Sequence, residues 1–381
     1  MAFMRVALVH DWLTGMRGGE KVLEALCELY PDAELFTLLH VRGSVSPTIE
    51  RAPIHCSLLQ HLPAVRRYYR ECLPLFPVLV EQFDLERFDL VISSSHCVAK
   101  SIIARPGAVH ICYCHTPMRY AWDQFGVYFG PERLGPIGSA LARPAMAAIA
   151  GWDRATSARA TRYVTNSQHV ARRIRRYYNR EASVVYPPVD TDFFHPTAHS
   201  MAPLPVKDGG CLIVSALVPY KRVEIAVDAC RLAGVSLTIV GDGPDRTRLE
   251  RRAADSRADV TFLGRLSDEE VREQYNHASL VLMPGEEDFG IVPLEAQACG
   301  RPVVALGRGG ALETIVPDET GVLVGDSTPG AFADAIRYAL NRRFVPDAIR
   351  HHAEGFGRAR FGKEIEAVVD ETMRLGASRA W

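Results

Sequence analysis

Paired cysteines, long apolar runs and an excess of either charge are all scarce in this 381-residue sequence. The nine cysteines include no Cys-x-x-Cys pair, and their odd number disfavours a disulfide framework, so a reducing cytoplasm is the expected compartment. The most apolar stretches, 73–80 and 141–152, are short or broken by Pro and Arg, well below the ~20 residues of a membrane span. Any membrane contact is therefore expected to be peripheral, at the cytoplasmic face of an inner membrane. The first ten residues read as a buried strand entered at once rather than as a signal peptide. A formal charge of -1 gives no reason to expect nucleic acid as a partner. There is no short-period repeat and no low-complexity tract.

What the chain does have is a hydrophobic share of 48% and a charged share of 23%, ordinary for globular proteins, over a length that favours two domains. The charge is uneven: residues 1–200 hold 22 Lys and Arg against 18 Asp and Glu, and the remainder 22 against 27. Short apolar runs at 6–9, 90–92, 109–113, 163–165 and 184–186 alternate with helical patterns, and continuous apolar runs suit strands covered on both faces. After Pro187-Pro188 the pattern restarts at 212–214, 237–240, 260–263, 280–283, 303–306 and 322–324. Two successive α/β units follow from this, joined near 188 through a polar, Pro-containing linker at 195–210. An amphipathic pattern at 363–375 predicts a last helix that packs back against a domain. Ligands of open parallel sheets lie beyond the carboxyl ends of the strands, so chemistry is expected in post-strand loops.

The strongest local signal is Glu287-Asp288-Phe289-Gly290-Ile291-Val292-Pro293-Leu294-Glu295, which follows a strand and runs into a helix that Gly300 ends. Free N–H groups at such a helix start can face a sugar or phosphate, and Gly290 permits close backbone approach. The two glutamates supply acceptors for sugar or ribose hydroxyls. Thr14-Gly-Met-Arg-Gly-Gly-Glu, with Gly18 and Gly19, stands between the first strand and a helix. Leu217-Val218-Pro219-Tyr220-Lys221-Arg222 follows the strand at 212–214, where two adjacent cations could neutralise a leaving diphosphate. His115-Thr116-Pro117-Met118-Arg119-Tyr120-Ala121-Trp122-Asp123 ends a strand with a polar and aromatic cluster suited to stacking on sugars.

Glu-x-Phe-Gly-Ile-x-x-x-Glu-Ala, with seven residues between its glutamates, resembles the signature of the family 4 retaining glycosyltransferases, and the other segments agree with that family in order. The resemblance implies an α/β GT-B fold: two Rossmann-like domains, 1–187 and 188–360, facing an interdomain cleft, with 361–381 as a helix returning toward the first. It implies His115 and Glu287 as the catalytic pair. Donor binding would fall to Gly18, Gly19, Lys221, Arg222, Gly264, Arg265, Phe289, Gly290, Ile291 and Glu295, with Glu295 on the ribose and Gly264-Arg265 near the base. Arg119, Trp122 and Asp123 would meet the acceptor. Many family members carry Arg where this chain has Ala216, and Arg222 is the expected substitute.

The combined motifs most resemble bacterial mannosyltransferases that extend O-antigen or exopolysaccharide units. They imply GDP-mannose as the donor and a lipid-linked or oligosaccharide precursor as the acceptor. No Asp-rich motif calls for a metal, and no cofactor is expected. A UDP-sugar donor, a glycosidase using Glu287 and Glu295, a non-catalytic GT-B scaffold and a nucleotide-sugar epimerase are the alternatives. Basic stretches at 66–70 and at Arg172, Arg173, Arg176 and Arg180, the latter expected on one helical face, could meet an anionic lipid surface.

Overall fold

A computed structural model of the chain describes residues 4–197 and 209–378, so most of the expected linker lies outside the described residues. Two compact units emerge, one of residues 1–188 and 359–381, the other of 189–358.

The first unit contains a seven-stranded parallel sheet: β1 (Val6–His10), β2 (Glu34–Thr37), β3 (Ile54–Cys56), β4 (Leu90–Ser95), β5 (Val109–Cys114), β6 (Arg162–Thr165) and β7 (Ala182–Val184), in the order β3-β2-β1-β4-β5-β6-β7. Every residue of β4 and β5 is buried, as continuous apolar runs predict for central parallel strands. Side chains alternate between faces. Val109, Ile111 and Tyr113 join one core, whereas Cys112 and Cys114 join another with Tyr163 and Ile174. The last strand lies slightly before the expected 184–186, and β2 and β3, too short and polar to stand out, went unpredicted.

The final helix, Arg358–Ser378, is longer at both ends than its apolar periodicity indicates. It sets Phe361, Ile365 and Val369 into the core that also takes Leu23 and Leu26 of the helix Gly18–Leu29. Burying each such side chain contributes about 1.5–3 kcal/mol, so this return segment is part of the first unit's stability.

The second unit contains β8 (Cys211–Val214), β9 (Leu237–Val240), β10 (Val260–Gly264), β11 (Leu280–Met283), β12 (Val303–Leu306) and β13 (Gly321–Val324), in the order β10-β9-β8-β11-β12-β13 and all parallel. In both sheets the strand order reverses beside the first strand, between β1 and β4 and between β8 and β11. That reversal parts the flanking loops and leaves a crevice at the carboxyl ends of the strands. Among the described residues no helix is long and apolar enough to cross a membrane.

Candidate functional site

At the reversal point of the second unit, the loop after β8 and the loop after β11 bring Lys221 and Glu287 into an ion pair. Both side chains are largely covered, with 21% and 16% exposure. The approach is close because of Gly285: a Cβ there would stand 2.7 Å from the Tyr220 carbonyl oxygen and 2.8 Å from Lys221 Cα. The loop after β12 supports Glu287 from the other side, where Gly310 N–H donates to the Glu287 carbonyl at 2.8 Å.

Gly290 caps the helix Ile291–Ala298 with a φ of +94°, a conformation that disfavours side-chain-bearing residues. As the N-cap, Gly290 has no side chain to cap the first turn, and a helix N-terminus directs its first N–H groups toward an anion or hydroxyl. Phe289 is buried, and its contribution at the surface is through its backbone. Glu295, one turn into the helix, accepts a hydrogen bond from the buried Tyr275 hydroxyl at 3.1 Å, which fixes one carboxylate oxygen.

Arg222 is the one residue in this group whose surroundings differ from the expected clamp. It sits in the left-handed region with φ +55°, its side chain is 47% exposed, and its Nε lies 3.2 Å from Glu224 Oε1. Arg248 shares that carboxylate, so Arg222 belongs to a surface ion-pair network rather than to the Lys221–Glu287 pair. Gly264 closes β10 with its carbonyl accepting from Gly241 N–H at 2.7 Å, and Arg265 after it is exposed.

In the first unit His115 directly follows β5. Its N–H donates to the Ser95 carbonyl at 2.8 Å, and its own carbonyl accepts from Asn166 Nδ2 at 3.0 Å. Burial, with His96 and His10 nearby, pushes its imidazole down to about 3, so the ring is neutral near pH 7. A neutral ring acts as a hydrogen-bond partner, not as a cation. Gly18 and Gly19 open the helix Gly18–Leu29, and a Cβ on Gly19 would lie 3.6 Å from both His10 Cε1 and His115 Nε2.

The three residues assigned to the acceptor fare differently from one another. Trp122 donates its indole N–H to Asp153 Oδ2 at 2.7 Å and stacks on Tyr177 at 4.8 Å, so one ring face and its only donor are engaged internally. Asp123 accepts from Arg173 at 2.6 Å. Arg119 is half-buried on the short helix that opens this loop. The basic face expected at 172–180 is not a single face: Arg173 turns in to Thr116 and Asp123, and Arg180 lies beyond the end of the helix Gln168–Tyr178, donating to the Ala160 carbonyl. A helix of eleven residues ends at Asn179 in the left-handed conformation, which takes Arg180 off the helical register.

Sequence reasoning missed a second polar group at the reversal point of the first unit. Asp11, fully buried after β1, accepts from the backbone N–H groups of His96, Cys97, Val98 and Ala99 at 2.7–2.9 Å and sits 3.1 Å from His96 Nδ1. Burial would raise this carboxyl, but His96, His10 and the N–H groups outweigh it and hold it below the ordinary range. Beside it, His10, Ser94 and Glu20 are buried too. The signal available in the sequence was positional: each of these residues lies at a strand end or in the helix turn after one.

The glycosyltransferase family 4 model matches residues 17–193, and the model described as glycosyl transferases group 1 matches 198–356. D-inositol 3-phosphate glycosyltransferases of Mycobacterium bovis and Mycobacterium tuberculosis are 34% identical over 220 residues, covering 52% of this chain and 46% of theirs. The chain thus spans about half the length of the curated relatives it matches. A sucrose-phosphate synthase from Thermosynechococcus elongatus superposes with a TM-score of 0.73 at 18% identity, covering 98% of this chain and 100% of that one. HepE of Anabaena, crystallised with UDP, gives 0.70 at 17% identity over 97% of this chain and 100% of its own. These likenesses establish a shared GT-B fold. With a match on either side of residues 193–198, the chain is built of a glycosyltransferase family 4 domain followed by a glycosyl transferases group 1 domain.

Proposed function

We propose that this chain is a retaining glycosyltransferase that moves mannose from GDP-mannose onto a lipid-linked O-antigen or exopolysaccharide precursor. The observation that carries the transferase reading is the Lys221–Glu287 pair beside the helix start at Gly290, which brings a cation, an anion and the N-terminus of a helix to one crevice. In this reading the donor's diphosphate takes Lys221 from Glu287, and the released carboxylate accepts hydroxyls of the donor sugar. Phe289, Gly290 and Ile291 offer backbone groups to the same sugar, and Glu295, steadied by Tyr275, takes the ribose. His115 serves the reacting sugar as a neutral partner. The leaving phosphate accepts the acceptor's proton as the new bond forms on the face the nucleotide leaves, which retains configuration.

The mannosyl and guanosine parts rest on the motif combination in the sequence. A UDP-sugar donor is the second reading, favoured by the UDP named with the HepE neighbour. The lipid-linked acceptor is supported by an exposed apolar and basic surface: Leu58, Leu62, Leu75 and Val78 stand out beside Arg66, Arg67 and Arg70. Arginines flanking apolar side chains suit an anionic headgroup layer.

Melting the protein with GDP, GDP-mannose, UDP and UDP-glucose at equal concentrations tests the donor, because a ligand that binds only the folded state raises its stability. The guanosine pair should give the larger shift; a larger shift from the uridine pair replaces the donor and leaves the transferase intact. Transfer onto a lipid-linked oligosaccharide in vesicles should be faster with anionic than with neutral lipid. No transfer from any nucleotide sugar would overturn the enzyme reading.

A further inference from the structure

A string of buried side chains leads to His115 from a direction the sequence did not indicate. Ser94 Oγ, at the end of β4, lies 2.8 Å from His115 Nε2 and 3.1 Å from His10 Nδ1. A hydroxyl has one proton, so it can donate to only one of these rings, and the other must donate its own N–H to the serine oxygen. The tautomers of His10 and His115 are therefore coupled.

The far end of the string decides which way it runs. His10 Nε2 is buried without a hydrogen-bond partner, and 3.8 Å from it stands Oε1 of Glu20, itself only 4% exposed. Burial opposes ionisation of that carboxyl, but the contact with His10 and a backbone N–H outweigh it and hold the carboxyl below its ordinary range. The neighbouring groups do not offset it: the Asp11 carboxylate is taken up by four backbone N–H groups and His96, and burial keeps His96 toward its neutral form. A carboxylate facing Nε2 favours the His10 tautomer with its proton there. Nδ1 is then bare and accepts the Ser94 hydroxyl proton, so the serine oxygen takes the N–H of His115 Nε2.

We infer that Glu20, His10 and Ser94 are positioning residues that hold the ring proton of His115 on Nε2 and leave its Nδ1 as an acceptor for a hydroxyl of the bound sugar. The last clause rests on the proposed function; the proton's place does not. In the second reading of the donor the same nitrogen meets the same class of group, since every hexose presents hydroxyls.

Long-range proton–nitrogen correlation on the full chain labelled with 15N-histidine reads the tautomer directly, with His115→Asn and His10→Asn spectra to assign the signals. Wild-type His115 should show a protonated Nε2 and a bare Nδ1. In Ser94→Ala and Glu20→Gln the His115 signals should move toward a mixture of tautomers. A His115 ring protonated at Nδ1 in the wild type overturns the inference, as does an unchanged His115 tautomer in both folded variants. Should the variants not fold, the wild-type spectrum alone still decides. With transfer established, Ser94→Ala should lower kcat on the order of 10-fold with the donor KM near wild type, and a fall confined to KM would count against it. Absence of transfer would sink the proposed function while leaving the ring spectrum to judge the string.

Discussion

Replacing Glu287 by Gln should tighten the binding of a nucleoside diphosphate while slowing transfer, two effects of opposite sign from one substitution. Lys221 is engaged by Glu287, and that contact must break before a phosphate can take the lysine. Fully exposed pairs are worth about 0.2–1 kcal/mol. With 21% and 16% exposure this one belongs at the upper end, and ~1 kcal/mol corresponds to about a five-fold change in Kd. The amide of the Glu287→Gln variant would keep the shape and lose the charge, so GDP, or UDP in the second reading, should bind about five-fold more tightly. Transfer should fall about 10-fold or more, because a hydrogen bond to a charged acceptor is worth roughly 1.5–3 kcal/mol. Isothermal titration of nucleotide into both proteins, at low and high salt, measures the first effect, and initial rates with saturating donor measure the second. The gain in affinity should shrink as salt screens the pair. Weaker or unchanged nucleotide binding in the folded variant would refute the competition between Glu287 and phosphate for Lys221.

Asp11→Ala strands four N–H donors, three of them in buried bonds, and at about 1–3 kcal/mol each, with water and backbone relaxation recovering part, it should cost about 3–5 kcal/mol in urea unfolding. Asp11→Asn keeps one acceptor oxygen and should cost less than Asp11→Ala; a loss under ~1 kcal/mol for Ala would contradict the geometry. Stability should also fall as pH drops from neutral. Burial pushes His110 down to about 4 from an ordinary 6.5, so below 6.5 the unfolded chain binds a proton that the folded one refuses. The folded state is favoured fully above that range and loses up to ~3 kcal/mol on this account by pH 4; His115, held down to about 3, adds to the same slope, so His110→Gln should lessen the slope measured by chemical denaturation between those values without abolishing it. Asp11 and Glu20, both lowered, add their losses only further down, as pH falls below the ordinary carboxylate range toward their folded values.

The parallel strands were legible wherever burial on both faces forces an unbroken apolar run, as in 90–92, 109–113 and 280–283. Ile54–Cys56 is a three-residue edge strand with no buried residue, and Glu34–Thr37, though paired on both sides and buried over its last three residues, has only Leu35-Phe36 as an apolar run. Glu287 and Glu295 were legible because a strand, a glycine turn and a helix hold them within one local segment. The string from Glu20 to His115 was not, because its members come from three strand ends and a helix, and only the sheet order brings them together. Trp122 and Asp123 show the converse: side chains whose chemistry suits a ligand are also suited to partners inside the protein, here Asp153 and Arg173.

The helix Arg358–Ser378 gives the chain a definite schedule during synthesis. Residues 1–188 leave the ribosome first, but the core they enter is filled only when Phe361, Ile365 and Val369 arrive, after the whole of 189–358 has been made. At about 5–20 residues per second that interval is roughly 10–30 s. Throughout it the sheet face that carries Leu8, Ile92 and Ile111 lacks part of its cover, and is open to the ribosome surface, to chaperones or to another nascent chain. The second unit, continuous in sequence, can close while its older neighbour waits. A stop codon just before Phe361 would therefore damage the part of the protein translated earliest.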